Sequence, residues 1–388
     1  MRIEVARGRW LQVGLPPNPV AGYEGDEIGD AHTAGKQGAF LSQEFVTAGK
    51  LRLAQAVVSH EVRQAEHDHA AWRQRVLNDV HVAYDDVLAA QRGVEVAGQL
   101  VRIGEEGLKA AEKALEAKEF SRVDVLGARI ETASARLRLD SFKNRHEAAW
   151  QRLAGVLGQP HLKPARLAGS LEDHLTPLTW EEAWQELLAR SPELARAQAG
   201  VARARCAVAL QCARRVPNVE LQLAMQHDNA SGDDVARLAV GVPLPLFNRN
   251  QGNIAQSQAE LTVAQEEVRR VELDLHERLA AAMQRYRTAR QEVETYQSSI
   301  LPDARASLGL VRRGYELGQL GYLALLTAQR TYFNAELSCL ESLRQLHFSS
   351  AGIRGLLLGS PGGGDALPPP FEPSRLGDLE DGQTRAVR

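Results

Sequence analysis

The stretch Val240-Gly-Val-Pro-Leu-Pro-Leu-Phe-Asn-Arg-Asn-Gln-Gly-Asn-Ile254, continued by Ala-Gln-Ser-Gln-Ala-Glu-Leu261, joins two periodicities that seldom meet. On its left, Ala236, Leu238, Val240 and Val242 alternate with other residues, the period of a strand with one apolar face. On its right, Ile254 and Leu261 open a seven-residue repeat, the period of a coiled-coil helix. Pro243, Pro245, Phe247 and Gly252 lie at or near the turn between them, and the prolines forbid either element from running through. The reading is a strand that hands over directly to a very long helix.

Working outward, the heptad continues through Val268, Leu275, Ala282, Ala289 and Tyr296, with Leu279, Tyr286, Val293 and Ile300 at a second seam position. Pro302 should kink this helix near its far end. A turn at 318–322 precedes a return helix over 323–358, and the Pro/Gly-rich tail 359–388 reads as disordered. Upstream lies the cleanest strand, 217–226, with Val219, Leu221, Leu223 and Met225 apolar at alternate positions and Glu220, Gln222 and Gln226 between. A loop at 227–234 leads to the next strand, in which Arg237 falls with the polar set by alternation. Ser191-Pro192-Glu193 is a cap followed by an N1 proline, opening a helix to about Arg215.

The first half has the same order. Residues 1–12 read as a helix end stopped by Gly14 and the proline cluster 16–19. Weak strands are predicted over 20–28 and 38–46, where Glu24, Asp26 and Glu27 spoil the alternation. Some seventy helical residues follow from about Ala48, with Val80, Val87, Val94, Val101, Leu108 and Leu115 every seven, flanked by Val76, Ala83, Ala90 and Ala97. A strict heptad imposes left-handed supercoiling, and at 1.5 Å per residue such a helix is about 100 Å long. A turn at 118–122 and a second helix over 123–157 complete the half. The two halves match at a shift of 200: Pro17-Asn18 on Pro217-Asn218, Lys50 on Asn250, and Leu115-Glu116 through Val125-Leu126 on Tyr315-Glu316 through Leu325-Leu326. The expected organisation is a first repeat (1–158), a connector (159–190), a second repeat (191–358) and the tail. Because the helix before Pro17 would begin ahead of residue 1, the given sequence is expected to start inside it, with any signal sequence upstream.

Composition bounds the function. A net charge of −3 with interspersed signs argues against nucleic acid, and 5% aromatic residues favour long helices over compact cores. Apolar runs fall short of the ~18 residues of a membrane helix, which leaves a β-barrel open. Cys206, Cys212 and Cys339 read as buried small residues. His60, His67 and His69 with Glu66 and Asp68 have the wrong helical spacing to chelate, so no metal site is expected, and no cofactor. No nucleotide loop or nucleophile elbow is present, so the chain is not expected to be an enzyme. Two strands per half cannot stand alone; several copies would close them into one barrel, with Val219, Leu221, Leu223, Met225, Leu238 and Val240 toward lipid and Glu220, Gln222, Gln226 and Arg237 toward a wet lumen. The competing readings are an intracellular coiled-coil scaffold, which leaves the strands unexplained, and a periplasmic adaptor, which should have one hairpin and no duplication.

The junction Pro-Leu-Pro-Leu-Phe-Asn-Arg-Asn-Gln-Gly-Asn-Ile, with Leu15-Pro-Pro-Asn-Pro19, Ser42-Gln-Glu-Phe45, Gly49-Lys50, Ser191-Pro-Glu-Leu194 and Tyr315-x-x-Gly318 before Leu325-Leu326-x-Ala328-Gln329-Arg330, resembles TolC-like outer-membrane efflux proteins, particularly their heavy-metal branch. The resemblance covers residues 10–358. It implies a mainly α fold with four strands per protomer, a homotrimer with a twelve-stranded barrel in the outer membrane, and a periplasmic α-barrel. It further implies partners: a periplasmic adaptor and an inner-membrane pump of RND or similar type. The adaptor would be met by the helical turns Lys118, Glu119, Phe120, Ser121, Arg122 and Gly318, Gln319, Leu320, Gly321, Tyr322. Some relatives narrow the tube with acidic residues just after the second turn; Ala324 and Thr327 occupy those positions here, leaving Asp124 as the acidic candidate for a constriction.

Overall fold

The computed structural model describes residues 1–29, 34–117, 121–171 and 177–358. Lys118, Glu119 and Phe120 and the tail 359–388 lie outside the described residues. The chain order is α1 (Arg2–Val13), β1 (Val20–Asp26), β2 (Lys36–Phe45), α2 (Lys50–Glu116), α3 (Arg122–Val156), α4 (Trp180–Arg190), α5 (Pro192–Ala213), β3 (Val219–Asp228), β4 (Asp234–Gly241), α6 (Gln251–Thr295), a π-helical turn (Tyr296–Ile300), α7 (Leu301–Glu316) and α8 (Tyr322–Arg354). Equivalent elements end at a 200-residue offset: α1 and α5 at Val13 and Ala213, α2 and α7 at Glu116 and Glu316. Two compact units cut across both repeats: residues 1–71 with 190–274, and 72–189 with 275 onward.

The first unit holds the sheet. Its order is β1-β2-β3-β4, antiparallel throughout. The central β2–β3 ladder runs from Lys36 opposite Asp228 to Phe45 opposite Val219, so the two halves of the sequence share one sheet. Gly35 closes the join. Its φ is +70°, and a Cβ there would sit 2.3 Å from the Asp26 carbonyl oxygen, so only glycine fits. Beside the sheet, α2 makes polar contacts with α1 and α5: Arg9 with Glu61 at 2.9 Å and Arg196 with Asp68 at 2.7 Å. Asp68 is thus committed to an ion pair.

The second unit holds the larger core. In the hairpin α2–α3 a buried stripe of mostly small residues recurs at heptad spacing, Ala83, Ala90 and Ala97 with Ala111 two heptads on in α2, and Ala128, Ala135, Phe142 and Ala149 in α3, beside the larger Val87, Val96 and Leu100. Small side chains let the helices approach closely. A Cβ on Gly93 would meet the Phe142 ring at 2.4 Å, and Thr132 Oγ1 donates to the Gly104 carbonyl at 2.9 Å. In the second hairpin the seam residues Leu279, Tyr286 and Val293 are buried, joined by Leu275 and Met283, but Ile300, the last of the expected seam, is exposed in the π-helical turn. Before Pro302 the helix widens into the π turn instead of simply bending. Proline lacks the N–H that would bond four residues back, and the wider turn rearranges the ladder locally.

The connector after α3 is irregular and therefore depends on side chains to satisfy its backbone. Trp150 Nε1 donates to the Leu162 carbonyl at 2.9 Å, Gln91 exchanges two bonds with Leu167, and the Leu178 N–H donates to Tyr286 Oη at 3.2 Å. His347 adds a clip between helices and connector. Its Nε2 lies 2.8 Å from the Leu171 carbonyl oxygen and its Nδ1 3.4 Å from Asp85 Oδ2. Nearby, Arg344, only 3% exposed, bridges Glu341 at 2.6 Å and Asp86 at 3.1 Å. Cys339 is buried and Cys206 partly so, but Cys212 is exposed, a correction to its reading as a buried small residue. It stands on the outer side of α5, near its end.

Candidate functional site

Two regions concentrate the features that a membrane-conduit reading needs: the sheet and the hairpin ends.

Alternation and register give the sheet two chemically opposite faces. One carries Tyr23, Leu41, Phe45, Val219, Leu221, Leu223, Met225, Leu238 and Val240. Among these Tyr23, Leu41, Phe45, Leu223, Met225, Leu238 and Val240 are between 50% and 68% exposed, a contiguous apolar surface that the described residues leave uncovered. The other face carries Glu24, Asp26, Ser42, Glu44, Glu220, Gln222, Gln226 and Arg237. There Gln222 Nε2 donates to Glu24 at 3.1 Å, and Gln226 Nε2 to Glu24 at 3.0 Å and to Asp26 at 3.2 Å. The acidic crowding of the first strand is thus resolved: Glu24 and Asp26 share the polar face with glutamines from the other half, while Glu27 lies beyond β1 at φ +58°.

The strand-to-helix junction is open to solvent. Phe247 is 91% exposed, and Leu244 and Leu246 lie out beside Pro243 and Pro245. Asn250, at φ +61°, turns the chain into α6 and donates through Nδ2 to the Gln211 carbonyl at 2.8 Å. Gly252 has open space around it, inside the first turn of α6. At the corresponding place in the first half a different residue works, one that sequence reasoning used only as a repeat marker. Asn218 Oδ1 accepts from the Thr47 N–H at 3.3 Å and from Lys50 Nζ, and its Nδ2 donates to Glu44 at 2.6 Å. The recurrence of Pro-Asn at 17–18 and 217–218 was the available signal.

At the hairpin ends, Ser121 caps α3 in a capping box: its Oγ accepts from the Asp124 N–H at 3.3 Å, and Asp124 Oδ2 accepts from the Ser121 N–H at 3.0 Å. The Ser121 hydroxyl and N–H hold the Asp124 carboxyl below its ordinary range. Its local employment is therefore at the helix start. Arg122 is exposed. In the second end, Gly318 has φ +69° and closes α7, with the Gln319 N–H donating to the Gly314 carbonyl at 2.8 Å. Gly321 is different. Its φ is −73° and a Cβ there would meet nothing, so neither conformation nor crowding demands glycine. Leu320 is 41% exposed with its Cδ1 end over Gly314, and Gln319 is exposed. Tyr322, by contrast, does not belong to the exposed turn. It is 6% exposed, packed with Ala111, Val125, Ala128 and Leu325, and burial pushes its phenol up to about 12. Beside this end a groove of about 640 Å³ runs between α7 and α8, lined by Ala304, Val311, Gly321, Ala324 and Thr327 among others.

Among the described residues no cluster of three or more His, Cys, Asp or Glu is placed to hold a metal ion, and no helix is long and apolar enough to cross a membrane.

Comparison with known proteins places this geometry. The chain is 29% identical over 313 residues to the cobalt-zinc-cadmium resistance protein CzcC of Cupriavidus metallidurans, covering 80% of this chain and 75% of the relative. Solved structures share the fold: a membrane protein from Pseudomonas aeruginosa (TM-score 0.73, 19% identity, 91% of this chain and 88% of that one). CusC (0.71, 18%, 92% and 87%) and the outer membrane protein VceC of Vibrio cholerae (0.70, 18%, 92% and 90%) agree. The family model described as outer membrane efflux protein matches residues 26–159 and 183–359, and with most of its length so matched, this chain belongs to the outer membrane efflux protein family.

Proposed function

We propose that three copies of this chain form the outer-membrane conduit of a tripartite efflux system and passively conduct what an inner-membrane pump delivers through a periplasmic adaptor. The observation that carries this reading is the sheet: one exposed apolar face, one polar face, and two unpaired edges, continuous in sequence with helices of up to 67 residues. In lipid every backbone group needs a partner, so an open sheet must close with neighbours. The apolar face, Val219 to Met225 with Leu238 and Val240, then meets outer-membrane lipid, and Glu220, Gln222, Gln226 and Arg237 line the lumen. The helical tube extends into the periplasm.

The exposed residues of the two hairpin ends, Ser121, Arg122 and Gly318 to Gly321, meet the adaptor, an assignment supported by exposure and by the groove beside Gly321. The cargo is divalent transition-metal cations, a reading supported by the likeness to a cobalt-zinc-cadmium resistance protein over 80% of the chain. A cytosolic scaffold would not need the two-faced sheet, and an adaptor would not need the duplication.

The experiment is complementation. With its own pump and adaptor, the chain should restore growth of an efflux-deficient strain in cobalt, zinc or cadmium, and should fractionate with the outer membrane as a trimer. A water-soluble monomer, or unchanged metal sensitivity despite outer-membrane trimers, would defeat the conduit or the cargo respectively.

A further inference from the structure

The two hairpins of the sheet are copies of one another, and their registers can be superimposed. Glu24 lies opposite Gly38 in the first, and Ala224 opposite Arg237 in the second. Residues of β1 therefore correspond to β3 at an offset of 200, and residues of β2 to β4 at 199, the loop of the second hairpin being one residue shorter. The chain also contains one ladder that joins hairpin to hairpin, β2 with β3. By the same correspondence, that ladder is a template for a hairpin-to-hairpin contact between β4 and β1, the edges that no strand among the described residues pairs.

We propose, resting on the conduit reading above, that β4 of one copy pairs antiparallel with β1 of a second copy in the register Arg237 opposite Asp26, Ala239 opposite Glu24, Val240 opposite Tyr23 and Gly241 opposite Gly22. Carrying over three observed pairs, Gly38 with Gln226, Phe40 with Ala224 and Leu41 with Leu223, gives the first three directly, and Ser42 with Gln222 gives the fourth.

Two features agree with this register. The first is facial parity. Tyr23 and Val240 both belong to the exposed apolar face, while Asp26, Glu24, Arg237 and Ala239 belong to the polar one. A slip of one residue would set apolar against polar at every position, so the alternation admits this register and rejects its immediate neighbours. The second is charge. Arg237 is the charged residue on the polar face of β4, and the register sets it opposite Asp26 and diagonal to Glu24, within reach of both. Within one chain the coiled sheet already brings Arg237 Nη1 to 3.6 Å from Asp26 Oδ2, so the two groups are complementary as they stand. Self-closure is not the alternative. Four strands make too narrow a barrel to hold side chains, since about eight are needed for an interior they just fill.

The test is disulfide trapping in the outer membrane. Cys206 and Cys212 are replaced by serine and Cys339 by alanine, and Tyr23→Cys is combined with Val240→Cys. In one chain these positions lie on opposite edge strands with β2 and β3 between them, and a bond within one chain leaves its mass unchanged on a gel, so only a bond between copies is scored. Mild oxidation should give species of two and three chains, at least fivefold more than Tyr23→Cys with Leu238→Cys or with Val242→Cys. Mass photometry of each unoxidised variant reports assembly separately. If trimers form but a displaced pair cross-links best, or no pair does, the register is overturned while the conduit reading stands. If the variants and the cysteine-free parent are all monomeric, the conduit reading falls and the register with it.

Discussion

Leu223→Arg and Gln222→Arg place the same charge one residue apart in β3, and the two-faced sheet requires opposite outcomes. Leu223 is near the middle of the strand, half exposed on the apolar face. In a lipid-facing barrel, an arginine near the bilayer midplane costs about 2–4 kcal/mol, which is roughly a 30-fold to 1000-fold shift in the assembly equilibrium. Gln222 faces the other way, its amide 3.1 Å from Glu24. Arginine there keeps that acidic partner, and an ion pair in a wet lumen contributes about 0–1 kcal/mol. Because the positions are adjacent, differences in strand propensity and distance from the turn nearly cancel. The assay is the fraction of chain recovered as assembled oligomer in outer-membrane preparations, followed by urea titration in lipid vesicles. Leu223→Arg should lose most of its assembled fraction while Gln222→Arg stays near the parent. Equal losses, or a greater loss for Gln222→Arg, would refute the facial assignment.

At the second hairpin end the two glycines should separate. Gly318→Ala forces a side chain into φ +69° and should lower the melting temperature by an amount corresponding to about 1–2 kcal/mol, whereas Gly321→Trp should leave stability and trimer content unchanged yet reduce metal efflux at least tenfold by filling the groove; normal efflux by that variant removes the groove from docking. His347 should make stability fall with rising pH. Burial lowers its pKa, but the hydrogen bonds to Asp85 and to the Leu171 carbonyl outweigh it, so the folded value lies above the ordinary one. The contribution of a group raised in this way is complete below about pH 6.5, its unfolded value, and is lost as pH climbs through the folded value. The difference in thermal stability between the parent and His347→Gln should therefore be largest in mild acid and shrink toward pH 9, and a difference independent of pH would show that the ring acts only by packing.

How much was readable follows the range of the interactions. The junction, the caps at Ser191 and Gly14, and the strands β3 and β4 were legible because prolines, glycines and period-two alternation act within a few residues. β1 was poorly legible because Glu24 and Asp26 find Gln222 and Gln226 from the other half, partners about 200 residues away. Tyr322 was misplaced for a local reason. The capping box at Ser121 and Asp124 marks Arg122 as the first helical residue, and the repeat carries that mark to Tyr322, which then turns inward onto Val125 and Ala128. The clip at His347 and the Arg344 bridge to Asp86 left no trace in spacing, since each joins segments that only the fold brings together.

The seam of the first hairpin shows what a single chain cannot complete. Sequence periodicity singled out Val80, Val87, Val94, Val101, Leu108 and Leu115; of these Val87 is fully buried and Leu115 is exposed, while the continuous buried stripe is the flanking one of alanines. Alanine wins because it lets α2 and α3 pack closely, whereas the larger Val80, Val94, Val101 and Leu108 stay half-buried. On α3 the contrast is sharper: Val123, Ile130 and Leu137, again seven apart, are 75%, 66% and 74% exposed. Apolar residues at strict heptad spacing are the knobs of a helix that expects a partner, and in this hairpin the inner stripe of α3 is already taken by α2. A helix with two apolar stripes at one spacing, one filled from its own chain and one bare, is built for a closed ring of helices, in which every member needs a neighbour on each side. The bare edges β1 and β4 make the same demand of the sheet. Helix and strand therefore call for the same solution, further copies of the chain, from two unrelated kinds of contact: side-chain packing in one case and backbone hydrogen bonds in the other.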